Sequence, residues 1–472
     1  MTDFFIDWRM KYPPYPHQEK EFLAYRDAKA RGLLWQPRTG KTKSCIDLAC
    51  YLIETGKIDA VFVLAPNLVH YNWNERELPT HKWDGIEFNK FLWVSSKPLT
   101  GFDEALKDKR PLWFAMNSEA LRLDRALKYI KKLVAKRRTL LIVDESHNYR
   151  TPGSKRTKRI RGLKKYFPYR RILTGTAIEN SPLAAFSQFE ILGNAALGTQ
   201  TYQEFKDLYA EFEHRNYGRG VRLEVVGYKN LDLLTRKISK WASVVGRDDM
   251  PPFVSSIRDF ELTKTQRKHY ETFKNDLILS LKQGEVSTTS LAVKVLKLQQ
   301  IASGFIIDEN KGVINLVGDS KNPRILALLD ELKTLEGKSI IWCKFKEDIA
   351  KLSRILPKEG YNIVEYHGGV KGEARNLAIN AFMSDPKCNI FLGQPDAGGT
   401  GLTLSEAQNV IWYSHTFDAI TRAQASERAT KLGGHSVTLT DISAFDTVDQ
   451  KILSSLKNKT SVVKSVMEGL TE

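Results

Sequence analysis

Gly40, Lys41 and Thr42 stand together in LLWQPRTGKTKS (33–44), and Asp144 and Glu145 end the run LLIVDE (140–145). The first group has the chemistry of a phosphate-binding turn. Thr39 and Gly40 offer backbone N–H groups to an anion, the Lys41 ammonium can reach β- and γ-phosphates, and the Thr42 hydroxyl can hold Mg²⁺. The second group puts two carboxylates at the exposed carboxyl end of an apolar strand, where open α/β sheets bind ligands. There Asp144 can hold the metal through water, and Glu145 can orient and deprotonate an attacking water. Neither group decides alone. The pattern G-x-x-x-x-G-K-[ST] asks for glycine where this chain has Trp35, and an apolar run ending in Asp-Glu is also an ordinary solvated strand end. Found in this order in one half of the chain, the two groups read as an ATP–Mg²⁺ site.

Such a site needs strands that end at it and helices that begin there. GLLW (32–35) reads as a strand, and TKSCIDLACYLIETG (42–56) has helical apolar spacing closed by Gly56, so the loop sits between strand and helix. Further strands are expected at AVFVLAP (60–66), LWFAM (112–116), LLIVDE (140–145) and RRILTG (170–175). A second set follows at SIIWCKF (339–345), NIVEYHG (362–368), NIFLGQ (389–394), NVIWYSH (409–415) and SVTLTD (436–441). Short β-rich runs alternating with helical stretches predict parallel sheets flanked by helices, here as two α/β units in tandem. The prolines of GRDDMPPFVSS (246–256) mark the linker, dividing the chain into 1–245 and 257–472. Basic, helical KTQRKHYETFKNDLILSLKQG (264–284) is expected to open the second unit.

Composition narrows the partner. Seventy-two Lys and Arg against 55 Asp and Glu leave a net charge of +17, concentrated in KYIKKLVAKRR (128–138) and SKRTKRIRGLKKYFPYRR (154–171). Runs of this kind can be plain solvated helix faces, but a polyanion fits better, because phosphate neutralisation releases counterions. The first residues lack a basic-then-apolar leader, and the longest apolar runs are strand-length rather than membrane-spanning. The four cysteines show no metal spacing and read as buried thiols in a reducing cytosol. A soluble cytoplasmic protein is expected.

With these elements in place the chain resembles superfamily 2 helicase-type ATPases, and within them the Snf2-related DNA translocases. PYPHQ (14–18) is similar to the glutamine motif, VLAPNLVHYNWNERE (63–77) to motif Ia and FAMNSEALR (114–122) to motif Ib. DESH (144–147) is similar to the DEAH box, with Ser146 for alanine. LTGTAIENSP (173–182) resembles the Snf2 form of motif III, with Ala177 at the usual proline. GQPDAGGTGLTLSEAQNVIW (393–412) resembles motif V, and QASERATKLGG (424–434) motif VI. The likeness runs from about Tyr15 to about Gly434 with the motifs in family order.

The resemblance implies two tandem RecA-like lobes with ATP–Mg²⁺ between them. It implies that Gln18 reads adenine, that Arg428 is an arginine finger crossing from the second lobe, and that Lys431 assists it. Gly399 and Gly401 would lie against the nucleotide, while Thr174, Thr176 and Thr400 would contact DNA phosphates or, at 174 and 176, couple the lobes. Arg150, Lys155 and Arg156 would track the DNA backbone, and Trp342, Phe345, Trp412 and Phe417 are expected in core packing. Trp35, Arg38 and Lys431 depart from the family pattern, implying a loop backbone drawn differently and a motif VI without its second planar fork. The activity implied is ATP-driven movement on duplex or branched DNA with little sequence preference, in branch migration or fork remodelling. The chain would work as a monomer, in a phage or bacterial host cytosol. An RNA helicase and a non-hydrolysing DNA-binding scaffold remain as alternatives.

Overall fold

The computed structural model describes residues 10–67, 69–175, 181–216, 221–246, 253–282, 288–308, 312–370, 373–398, 402–430 and 434–456. In the first half β1 (Ala30–Trp35), β2 (Ala60–Ala65), β3 (Asn89–Leu92), β4 (Leu112–Asn117), β5 (Thr139–Val143) and β6 (Tyr169–Leu173) form a parallel sheet. A β-hairpin, β7 (Ala210–Asn216) and β8 (Val221–Tyr228), stands apart from it. The sheet is completed by β9 (Ala242–Val245), giving the order β3-β4-β2-β5-β6-β1-β9. β2 and β5 are buried along their whole length. Their alternate residues feed opposite faces: Phe62, Leu64, Leu141 and Val143 pack on one side, Val61, Val63, Leu140 and Ile142 on the other. Near-continuous apolar runs follow from cover on both faces.

The second half repeats the plan. β10 (Phe253–Phe260) comes first, then a small hairpin of β11 (Phe305–Asp308) and β12 (Gly312–Asn315). β13 (Lys338–Trp342), β14 (Ile363–Tyr366), β15 (Ile390–Gly393), β16 (Ala407–Trp412) and β17 (Val437–Ala444) follow. β10 and β13–β17 make a parallel sheet of order β10-β17-β16-β13-β15-β14.

Each strand expected from the sequence is present, most of them trimmed at the carboxyl end where side chains leave the ladder. The expected linker is shorter than read: Phe253 onward belongs to β10, paired with β17 from Phe253↔Val437. The prolines masked this strand. β3, β9 and the hairpins are strands that the sequence pattern does not announce, most being short and β7 rich in charge. Trp342 and Trp412 are fully buried and Phe345 nearly so, as core packing requires, whereas Phe417 is exposed. All four cysteines are free and buried. Among the described residues no helix is long and apolar enough to cross a membrane.

Candidate functional site

β1 carries the chain into the phosphate-type loop, and the helix Lys41–Glu54 (α1) leaves it. Trp35, the residue that breaks the glycine pattern, belongs to the core: its ring is fully buried and its Nε1 donates to Ser243 Oγ on β9 at 2.8 Å. The loop then turns through two left-handed residues, Arg38 (φ 68°) and Gly40 (φ 81°). Gly40 is needed twice over. Its φ suits glycine, and a Cβ there would lie 1.9 Å from Gln18 Nε2. That Nε2 donates to the carbonyls of Thr39 (3.3 Å) and Gly40 (3.1 Å), while Gln18 Oε1 accepts from Tyr15 N at 2.8 Å. Gln18 is therefore buried beneath the loop with its amide bonded to backbone, and it does not line the phosphate-end cavity that Lys41 and Asp144 share. In this structure Gln18 braces the loop. Thr39 is also buried, its hydroxyl donating to Gln36 O at 2.7 Å. Lys41 opens α1, and its Nζ donates to the carbonyls of Trp35 (2.7 Å) and Gln36 (3.2 Å).

Three strands away from β3 and beside β2, β5 ends at Val143. Asp144 N still donates to Leu64 O at 2.7 Å, then Glu145 (φ 48°, ψ 57°) reverses the chain in a conformation costly for a non-glycine residue. Asp144 Oδ2 accepts from Trp73 Nε1 at 2.7 Å and Oδ1 from Glu145 N at 2.9 Å. Burial and the adjacent Glu145 charge push the Asp144 carboxyl up to about 6, against the pull of the Trp73 indole and of Lys41. Burial would also raise Glu145, yet the His147 contact (3.2 Å) and the Lys41 charge bring it below its ordinary range. The pair thus has one carboxyl that protonates readily and one that stays ionised. Ser146, standing for alanine, is fully buried and donates to Gln188 Oε1 at 2.8 Å.

Trp73 is a site residue the sequence reading missed. It lies on a π-helical turn, Trp73–Glu77, in the connection after β2, and its ring is buried beside Trp113. Such turns redirect side chains at functional sites. No local pattern singles it out, because its tie to Asp144 depends on β2 lying beside β5.

Arg428 arrives from the other sheet. It is buried, donates to Pro395 O at 3.3 Å and lies 5.1 Å from the Trp342 ring centroid. Burial pulls its guanidinium down to about 10, with the Arg38 charge acting the same way. Lys41, Thr42, Trp73, Asp144 and Glu145 from the first lobe line one cavity of about 220 Å³ with Thr403, Gln424, Glu427 and Arg428 from the second. That volume falls below the roughly 300–1,000 Å³ of whole-ligand pockets, so it is the size of a phosphate end. A larger cavity, about 830 Å³, lies among β10, β17 and the helix Ala419–Ser426, but holds none of the loop or Asp144–Glu145 residues. Chemistry, not size, selects the smaller one.

The donor set there fits Mg²⁺. Thr42 offers a hydroxyl and Asp144 a carboxylate whose oxygens keep lone pairs beyond the two bonds they accept. Among the described residues no three His, Cys, Asp or Glu side chains cluster as a self-sufficient metal cage. Mg²⁺ is ordinarily held by one or two protein groups plus phosphates.

The expected DNA-binding residues divide. Arg150 and Lys155 are exposed. Arg156 is half-buried, paired with Glu119 Oε1 at 2.5 Å and placed over the Tyr149 ring. Thr174 is a correction: it is fully buried, 3.3 Å from His147 Nδ1, and so joins motif III to the DESH box instead of meeting a DNA phosphate. Thr176, Gly399, Thr400, Gly401 and Lys431 lie outside the described residues.

Comparison with known proteins decides the family. An SNF2-related domain profile matches residues 21–304, more than half of the chain, and the helicase conserved C-terminal domain matches 320–433. The chain belongs to the SNF2-related family of helicase-type ATPases. It is similar to an uncharacterized ATP-dependent helicase of Mycoplasma genitalium, 24% identical over 366 residues, covering 77% of this chain and 33% of that protein. The putative protein p41 of Acyrthosiphon pisum secondary endosymbiont phage 1 is 22% identical, covering 70% of this chain and 72% of its own. The DNA annealing helicase and endonuclease ZRANB3 of Bos taurus is 22% identical, covering 100% of this SNF2-related chain and 42% of that protein. The chain spans about a third or less of the first curated relatives it matches. Among solved structures, the SWI2/SNF2 ATPase core of Sulfolobus solfataricus in complex with dsDNA covers 98% of this chain and 94% of its own, at 20% identity and a TM-score of 0.41.

Proposed function

We propose that the chain hydrolyses ATP in the cleft between its lobes and uses the cycle to move along DNA. The observation that carries this is one cavity lined by Lys41, Thr42, Asp144 and Glu145 from one sheet and Arg428 from the other. Lys41, held here by loop carbonyls, would exchange them for phosphate oxygens. Thr42 and Asp144 would hold Mg²⁺, which when bound neutralises phosphate charge. Glu145, kept ionised by His147 and Lys41 and lining the cavity, would orient the attacking water and accept its proton. Arg428 would stabilise charge on the transferring phosphoryl group, and only with the cleft closed. Closure on triphosphate and opening after hydrolysis make a two-state element able to ratchet a gripped strand.

DNA is the favoured track. The chain carries a net charge of +17 and presents Arg150 and Lys155 on the lobe that holds the DESH box, and one relative is named a DNA annealing helicase. Branch migration or fork remodelling is the finer task inferred, with backbone contacts and little base reading. The test is phosphate release with and without single-stranded, duplex, forked and four-way DNA. Wild type is expected to be stimulated most by duplex or branched DNA. Glu145→Gln and Lys41→Ala are expected to lose at least about a hundredfold in rate while keeping the fold. Full turnover in Glu145→Gln protein would remove the catalytic assignment, and stimulation by RNA alone would replace the track.

A further inference from the structure

Arg38 occupies a position in the phosphate loop where a side chain is costly. Its φ of 68° lies in the left-handed region, and the related pattern usually has glycine or another small residue here. The guanidinium does not turn to solvent. Its Nη2 crosses the cleft and donates to Leu402 O at 3.2 Å and to Arg428 O at 3.1 Å. The Arg428 carbonyl also accepts from Leu404 N at 2.9 Å, so Arg38 docks where the motif V and motif VI segments are tied together. The side chain that follows from that carbonyl's residue is the proposed arginine finger, lining the same cavity.

We propose that Arg38 is an interlobe clasp, a positioning residue that holds the second lobe's main chain against the phosphate loop before nucleotide arrives and so keeps Arg428 facing Lys41 and Asp144–Glu145. Three features support it. The two bonds join residues 364 and 390 positions apart, so they exist only when the lobes are together. They grip backbone carbonyls, which fixes the segment without competing for the Arg428 side chain. The two guanidinium charges also repel each other at short range, a strain that an anionic triphosphate between them would relieve. The clasp therefore favours a preformed cleft that is charged for phosphate, and a protein with a larger closed fraction shows a proportionally tighter apparent affinity.

This rests on the ATP-cleft reading, and the experiment separates the two. Arg38→Gly removes the clasp and the left-handed strain together, so its melting temperature should not fall below wild type. Arg38→Lys keeps the charge but loses the planar fork. Dyes placed through Glu104→Cys and Lys387→Cys, one exposed site on each lobe, report lobe separation by energy transfer, since the native cysteines are buried. Without nucleotide, Arg38→Gly should raise the open-to-closed ratio at least about tenfold, the effect of losing even one hydrogen bond from a charged group, with Arg38→Lys intermediate. The KM for ATP should rise in Arg38→Gly by the same factor by which the closed fraction falls, with a smaller change in kcat. An unchanged distance distribution overturns the clasp. So does a loss confined to kcat, which would put Arg38 on the reacting phosphate. Absence of ATP turnover in wild type would refute the function while the distance measurement still judged the clasp.

Discussion

Trp73→Phe isolates the side-chain hydrogen bond that, beside the Glu145 N–H and the Lys41 charge, favours ionised Asp144. The indole N–H donates to the Asp144 carboxylate at 2.7 Å in a buried setting. A bond to a charged group contributes about 1.5–3 kcal/mol, and each pH unit corresponds to about 1.36 kcal/mol. Phenylalanine keeps much of the ring's packing but donates nothing, so the Asp144 midpoint should rise from about 6 by roughly one to two pH units. The sign is set by the metal, which binds the ionised carboxylate: affinity is present above the midpoint and lost as pH falls through it. At pH 7 the ionised fraction would drop from roughly nine-tenths to between one-half and one-tenth, raising the apparent KM for Mg²⁺ about two- to tenfold. At pH 9 mutant and wild type should agree within about twofold. The assay is DNA-stimulated phosphate release against free Mg²⁺, at saturating ATP, from pH 6 to 9. Identical acid limbs in the two proteins would refute the reasoning. A deficit as large at pH 9 as at pH 7 would do the same, because it would make Trp73 a packing residue only.

Two further perturbations test the scaffold. Gly40→Ala should displace the loop, since its Cβ would meet Gln18 Nε2 at 1.9 Å and its φ of 81° is unfavourable for alanine. Nucleotide affinity should fall at least about tenfold by equilibrium titration, and Gln18→Ala in the same protein should recover only part of it, because the left-handed cost of about 1–2 kcal/mol persists. Asp449→Ala should strand the Arg324 guanidinium, which pairs with Asp449 in the second lobe with both side chains 1% exposed. A loss of about 3–5 kcal/mol in denaturant unfolding is expected, and a loss below about 1 kcal/mol would show the pair to be dispensable.

Much of the plan could be read along the chain. LLIVDE announced both a buried strand and the carboxylates beyond its end, because a strand buried on both faces must be apolar throughout and can turn polar only where it stops. Gly40-Lys41-Thr42 announced a loop between strand and helix for an equally local reason, the backbone freedom and N–H groups that a helix start demands. The order of motifs implied two units, and helical spacing marked the elements at 42–56 and 264–284. These are properties of neighbours in sequence.

What could not be read depends on which elements meet. Trp73 reaches Asp144 across 71 positions only because β2 lies beside β5. Arg38 meets Leu402 and Arg428 only because two separately built sheets face each other. Thr174 looked like a surface hydroxyl until β6 was set between β5 and β1, which buried it against His147. Gln18 and Arg156 likewise found partners, the loop carbonyls and Glu119, that no local pattern names. The sequence by itself settled which residues could do phosphate chemistry and which strands would deliver them, since periodicity and chain stiffness act over a few residues. Sheet order and lobe closure, set by the burial of whole surfaces, decided which of those residues face the cleft and which became its supports.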